Sequence, residues 1–149
     1  MWRWIGKGLD ALREIAERPR LRGDAATGRR GENLAHRYLQ ACGYRIVGRN
    51  YRPSTGRGEI DLIARRGDVW VFVEVKTRQA VNFGEPERAV DLEKEAAMRH
   101  AARSYAFSAG VDLSRVRLDV ISVVLTKPPR IRHLENAIPL SVSSRRVGR

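Results

Sequence analysis

Two stretches near the middle of the chain have the apolar patterning of strands, Ile60 to Arg65 and Val69 to Thr77, the second opening Val-Trp-Val-Phe-Val-Glu-Val-Lys. Gly67-Asp68 between them suits a two-residue hairpin turn. That turn sets Arg66 across from Val69 and, counting outward, Asp61 opposite Glu74 and Glu59 opposite Lys76. Side chains on a strand alternate between faces. Glu59, Asp61 and Ile63 therefore share one face with Trp70, Phe72, Glu74 and Lys76, while Ile60, Leu62, Ala64, Val69, Val71, Val73 and Val75 form an aliphatic face. A slip of one residue would separate the charges onto opposite faces.

Upstream, Leu34, Ala35, Tyr38, Leu39 and Cys42 recur at helical spacing, which predicts a helix from a Thr27 cap to about Cys42, stopped by Gly43. Glu32 falls at the edge of this stripe, nearly above Leu39, where a carboxylate looks into the domain. The plainer reading is an acid placed early in a helix to suit the macrodipole. A strand follows near Tyr44 to Tyr51, then a Pro-Ser-Thr-Gly-Arg-Gly loop at 53–58 and the hairpin. Asp91 predicts the cap of a second helix from Leu92 to Phe107, closed by Gly110 and carrying Lys94, Arg99 and Arg103. Val116 to Leu125 is rich in β-branched residues and reads as a strand ended by Pro128-Pro129, and Ile131 to Leu140 as an edge strand or a short helical turn. The order helix, three strands, helix, strand predicts an α/β domain over 27–140 around a mixed sheet flanked by helices. Residues 2–18 carry a basic amphipathic helical pattern, 19–26 read as a linker and 141–149 as a basic disordered tail.

A length of 149 residues with 42% hydrophobic content is one domain's worth of chain. The net charge of +12 opposes compaction and points to an anionic partner, with nucleic acid foremost. Much of the excess is arginine, at Arg45, Arg49, Arg52 and Arg57 before the hairpin, Arg65 and Arg66 at its turn, and Arg145, Arg146 and Arg149 at the end. A generic basic surface is the alternative. Cys42 stands alone, which excludes a disulfide framework and a thiolate cluster; it is expected to pack as a small hydrophobe in a reducing cytoplasm. No stretch has the apolar length of a membrane span, and the N-terminus lacks a signal-peptide pattern. Trp2 and Trp4 beside basic residues fit either a membrane-surface helix or one docked on its own domain or a partner. His36, one turn after Glu32, reads as an exposed helical histidine or half of a metal pair; His100 and His133 add no zinc spacing.

Directly opposed strand residues have Cβ atoms about 4.5–5.5 Å apart, and like charges there repel. Asp61 opposite Glu74 therefore calls for a cation, and without one a partly buried pair is expected to hold a raised carboxyl pKa. The alternative is a solvated sheet face on which Glu59, Asp61, Glu74 and Lys76 form cross-strand ion pairs.

The segments Gly31-Glu32-Asn33-Leu34-Ala35, Gly58 to Ile63 and Phe72 to Lys76 resemble those of the bacterial YraN family of predicted endonucleases. That family falls within the PD-(D/E)xK nuclease superfamily, near its Holliday-junction-resolvase branch. Lys94, Leu118-Asp119-Val120 and Glu135-Asn136-Ala137 add to the likeness, which covers 27–140; Ile60 stands where the superfamily name has proline. The resemblance implies a restriction-endonuclease-like αβββαβ core and a catalytic set of Glu32, Asp61, Glu74 and Lys76. It implies Mg²⁺ or Mn²⁺ held by Asp61, Glu74 and the Val75 carbonyl, with Glu32 joining directly or through water. Lys76 would orient the attacking water or stabilise developing charge, and Lys94, Thr77, Arg78 and Arg57 would contact phosphates. The implied substrate is DNA, branched if the resolvase likeness extends that far, with a homodimer plausible. An inactive nucleic-acid-binding module on the same fold is the alternative.

Overall fold

Burial of one apolar stripe builds helix α1, Ala25–Ala41. Ala35, Tyr38 and Leu39 are fully covered, with Leu34 and Cys42 packed at the margin of the same core. The computed structural model describes residues 3–4, 25–80 and 92–141. The linker up to Asp24, the Asp91 cap and the tail from Val142 lie outside the described residues. Thr27, expected as the cap, is inside the first turn, and its hydroxyl accepts a hydrogen bond from Gln79 Nε2 at 3.0 Å. Gly43, at φ +86°, closes the helix, and the Tyr44 N–H reaches back to the Leu39 carbonyl at 3.0 Å.

Strands β2 (Arg45–Tyr51), β3 (Ile60–Arg66) and β4 (Val69–Gln79) run antiparallel in sequence. The hairpin register is the expected one, with Arg66 on Val69 and Leu62 on Val73. Helix α2 (Leu92–Ala109) and the 3₁₀ turn Leu113–Arg115 then return the chain to β5 (Val116–Leu125), parallel to β4. A parallel neighbour requires such a crossover. The last segment is strand β6 (Arg130–Ile138), antiparallel to β5. Two extended residues, β1 (Arg3–Trp4), add in parallel at Ile131 and Arg132, completing the sheet order β1-β6-β5-β4-β3-β2. Those two residues are thus strand where the amphipathic pattern predicts helix; the remainder of 2–18 is outside the described residues.

The mixed sheet has a core on each face, as the α/β reading requires. Toward α1 lie Leu62, Ala64, Val71, Val73, Val75, Ile121, Val123 and Ile131. Toward α2, Ile63, Phe72, Leu118, Val120, Leu134 and Ile138 meet Met98, Ala101 and Ala102. Two positions depart from simple alternation. Ile60, expected with Leu62, packs in the α2-side core, and Val69, at the turn, is 40% exposed.

A polar network is sealed into the sheet behind this hairpin. Asp119 and His133 are fully buried, and His133 Nε2 donates to Asp119 Oδ2 at 2.7 Å. With Nε2 the donor, a neutral ring accepts at Nδ1 from the Tyr38 hydroxyl, 3.1 Å away. Arg117 Nε donates to Asp119 Oδ1 at 2.8 Å, and Arg117 Nη2 to Tyr44 Oη at 2.9 Å. The Asn136 N–H fills the remaining position on Asp119 Oδ1 at 2.8 Å. This contact lies where the β5–β6 register shifts and Asn136 adopts φ +51°. Burial opposes ionisation of Asp119, yet the hydrogen bonds from His133, Arg117 and Asn136 outweigh it and hold the carboxyl below its usual range. The network thereby ties α1, β5 and β6 into one body.

Asp119→Asn removes the charge that Arg117 faces. It is expected to cost on the order of 3 kcal/mol, read as a lower urea midpoint, with far-ultraviolet circular dichroism unchanged before the transition. The sign with pH follows from the depressed carboxyl. The network's stabilisation is present above pH 4 and lost as pH falls through the lowered value, so the gap between wild type and variant narrows in acid.

Candidate active site

Pairing between β3 and β4 ends at Leu62 and Val73, while β3 stays paired to β2 as far as Ile60 on Tyr51. The two strands fork at Asp61. A peptide N–H left free inside a fork needs an acceptor, and Asp61 Oδ2 supplies it, taking the Val75 N–H at 2.8 Å. This replaces the next ladder bond, so Asp61 and Glu74 stand one step beyond the last paired residues. Turning Ile60 into the α2-side core accompanies the same departure from regular pairing.

Two glycines let the flanking elements close on the fork. A Cβ on Gly31 would overlap the Thr77 hydroxyl and come within 2.8 Å of Thr77 Cβ, so α1 lies directly on β4. A Cβ on Gly58, at φ +85°, would strike the Ala97 carbonyl of α2. Each glycine is followed by a glutamate. Glu32 is thereby brought into the domain, only 8% exposed, with its carboxylate 3.6 Å from Arg49 Nη2 of β2. Glu59, expected opposite Lys76, forms an ion pair with Arg52 at 3.2 Å. Lys76 lies 2.8 Å from Glu74 on its own strand.

Asp61 is 7% exposed. Its carboxyl is pushed up to about 7, first by burial and then by the charges of Glu74, Glu32 and Glu59, against the lowering effect of the Val75 N–H. The raised value expected from the sequence is found on this residue, and three glutamates contribute to its field. The donor set is all oxygen and therefore fits a hard divalent cation in kind. As they stand, each carboxylate has its own partner. Among the described residues no three His, Cys, Asp or Glu side chains are gathered closely enough to hold an ion. Ligation by Asp61, Glu74 and Glu32 requires Glu74 to turn from Lys76, and Glu32 to move from Arg49.

Of the expected phosphate contacts, Thr77 is the seat of α1 beneath Gly31, and Arg78 is half-buried one residue on. Arg57 is exposed in the loop before β3. Lys94 is on the exposed first turn of α2, its ammonium lowered by desolvation of the charged end. His36 is not the exposed histidine of the sequence reading. It is half-buried with Nδ1 lacking a partner among the described residues, and burial together with Arg49 and Arg37 holds the ring below its usual pKa. Sequence patterning left the role of Arg49 unassigned, because only the pairing of β2 with β3 brings it to Glu32.

A carboxyl raised in the folded state contributes stability that is complete below its unfolded value near 4 and lost as pH rises through about 7. Asp61→Asn, which keeps an acceptor for Val75, is expected to leave the metal-free melting temperature unchanged at pH 4 and raise it by several degrees at pH 8. Gly31→Ala is expected to destabilise by about 1–3 kcal/mol through overpacking. Adding Thr77→Ala should recover part of that loss in the same melts.

The sequence pattern of uncharacterised protein family UPF0102 matches residues 31–123, spanning Gly31-Glu32, the fork and most of β5. The chain is 52% identical over 110 residues to a UPF0102 protein of Solibacter usitatus, covering 74% of this chain and 83% of that one. A UPF0102 protein of Rhodococcus jostii is 43% identical over 114 residues, 75% and 95% of the two chains. One from Alkaliphilus oremlandii is 46% identical over 110 residues, 72% and 92%. With the matched segment including Glu32, Asp61, Glu74 and Lys76, this protein belongs to the UPF0102 family.

Proposed function

We propose that this protein is a metal-dependent endonuclease that hydrolyses phosphodiester bonds in DNA. The observation that carries the reading is the Asp61 carboxyl, buried at a strand fork and raised to about 7 in the field of Glu74, Glu32 and Glu59. An arrangement that disfavours its own ionised form is relieved by a cation, and such groups concentrate at functional sites. Asp61 and Glu74 would hold Mg²⁺ or Mn²⁺, with the Val75 carbonyl as a further oxygen and Glu32 joining directly or through water. The ion, when bound, supplies Lewis-acid polarisation of the phosphodiester and lowers the pKa of water.

The chain's own groups supply the rest. Lys76 is the ammonium nearest these carboxylates in the described geometry, 2.8 Å from Glu74. Freed from Glu74, it can orient a water or balance charge developing on the phosphoryl oxygens. Arg49, 3.6 Å from Glu32, holds that glutamate in place. Arg57, Arg78, Lys94 and Thr77 are offered as backbone contacts, a mode that leaves bases unread and is weakened by salt.

Cutting of linear, flapped and four-way DNA is expected with Mg²⁺ or Mn²⁺, falling at least about 100-fold in Asp61→Ala and Lys76→Ala. Equal activity in all three proteins would remove this site from the reaction. A second reading is a nucleic-acid-binding module without turnover, favoured by the separate partner each carboxylate already has. It predicts salt-sensitive binding unaffected by EDTA, no cutting in any of the three, and little loss of affinity in Asp61→Ala.

A further inference from the structure

The side of α1 turned away from the sheet carries Arg29, Arg30, Asn33 and Arg37, which with Ala26 and Leu34 line a groove of about 450 Å³. We propose that this groove is a second contact for the phosphodiester backbone of nucleic acid, separate from the residues around the fork. The inference rests on the nucleic-acid reading above.

Charge is the first support. Between Ala25 and Ala41 the helix has a single acid, Glu32, and that acid points inward to Arg49. The groove lining holds three arginines and no carboxylate. Among the described residues, none of the three has an ion-pair partner. Helical geometry separates the two roles. At about 100° per residue, Arg30, Asn33 and Arg37 fall within one narrow sector on the far side from the buried stripe of Ala35, Tyr38 and Leu39.

No acid occupies the first turn of α1, and Arg29 and Arg30 follow in its second turn. A bound polyanion would be attracted by the arginines.

Spacing matches a backbone rather than a single small anion. Arg30 and Arg37 are seven residues apart, about 10 Å along the axis at about 1.5 Å per residue. A duplex rises about 3.4 Å along its axis per base pair, so the arginines cover roughly three steps of axial rise, more than a single phosphate can bridge. Arginine suits the task because its planar fork meets phosphate oxygens bidentately. Gly31 and the Thr27 hydrogen bond to Gln79 fix this helix to β4. The groove is therefore carried on a helix fixed to the sheet and not on a loose appendage.

The test is affinity for a fluorescent DNA duplex in EDTA, measured from 50 to 300 mM salt. It compares wild type, the triple variant Arg29→Gln, Arg30→Gln, Arg37→Gln, and the same three positions changed to Lys. A charge control carries Arg65→Gln, Arg103→Gln and Arg115→Gln, exposed positions on other elements. The wild-type slope of log affinity against log salt is expected to drop by about 2–3 in the Gln variant, with at least tenfold weaker binding at 100 mM. The Lys variant should keep most of the slope, and the charge control should change it by less than one. An unchanged slope in the Gln variant, or an equal drop in the charge control, would overturn the groove while leaving the nucleic-acid reading intact. Absence of salt-dependent binding by wild type, or its preference for anionic vesicles over DNA, would overturn both. Should the Gln variant fail to melt cooperatively, Arg37→Glu alone, with an expected loss of about one to two in slope, decides in its place.

Discussion

The fork between β3 and β4 depends on one hydrogen bond, from the Val75 N–H to the Asp61 carboxylate. Where two strands part, the ladder exposes a donor that has to be met inside the protein. A side-chain oxygen at Asp61 meets it, and in doing so fixes a carboxyl group away from bulk water. Burial and three nearby glutamates then raise that carboxyl to about 7. A requirement of the backbone has produced an acid whose ionised form is costly, and only a cation or a proton relieves it.

The surrounding charges are arranged as local balances. Lys76 answers Glu74, Arg49 answers Glu32, and Arg52 answers Glu59. Each pair gives its carboxylate a cationic partner of its own. Only the exposed Arg52–Glu59 pair is of the kind that contributes little to stability; Glu32, Glu74 and Lys76 are largely covered, so parting them from their partners carries a desolvation cost. The Asp119 network is centred on two fully buried groups, Asp119 and His133, and serves to lock α1 against β5 and β6.

Position of the flanking helices rests on the absence of side chains as much as on their presence. Gly31 allows α1 to lie on Thr77, and Gly58 allows the loop before β3 to touch the α2 backbone at Ala97. In each case a glutamate follows immediately, so close approach of two backbones also determines where an acid goes. The glycine and the acid in each Gly-Glu pair are thus one device, in which packing supplies the geometry and the carboxylate supplies the charge.

Local patterning was enough to read the hairpin and its register, because a two-residue turn at Gly67-Asp68 leaves alternation no freedom. Helix α1, the crossover helix, and β5 at Val116–Leu125 were legible for the same reason, each carrying its own periodicity and stop signal. Ile60 could not be placed by alternation, since the strand leaves its partner at that point and packs to the other side. Nor could the pairing of Arg49 with Glu32, or of His133 with Asp119 and Tyr38, which join residues distant in the chain. Sequence alone determined which residues carry the acids and that two of them meet near a hairpin. Tertiary structure decided how deeply each is buried and which cation each one faces, because desolvation and ion pairing depend on the distances between elements and not on order along the chain.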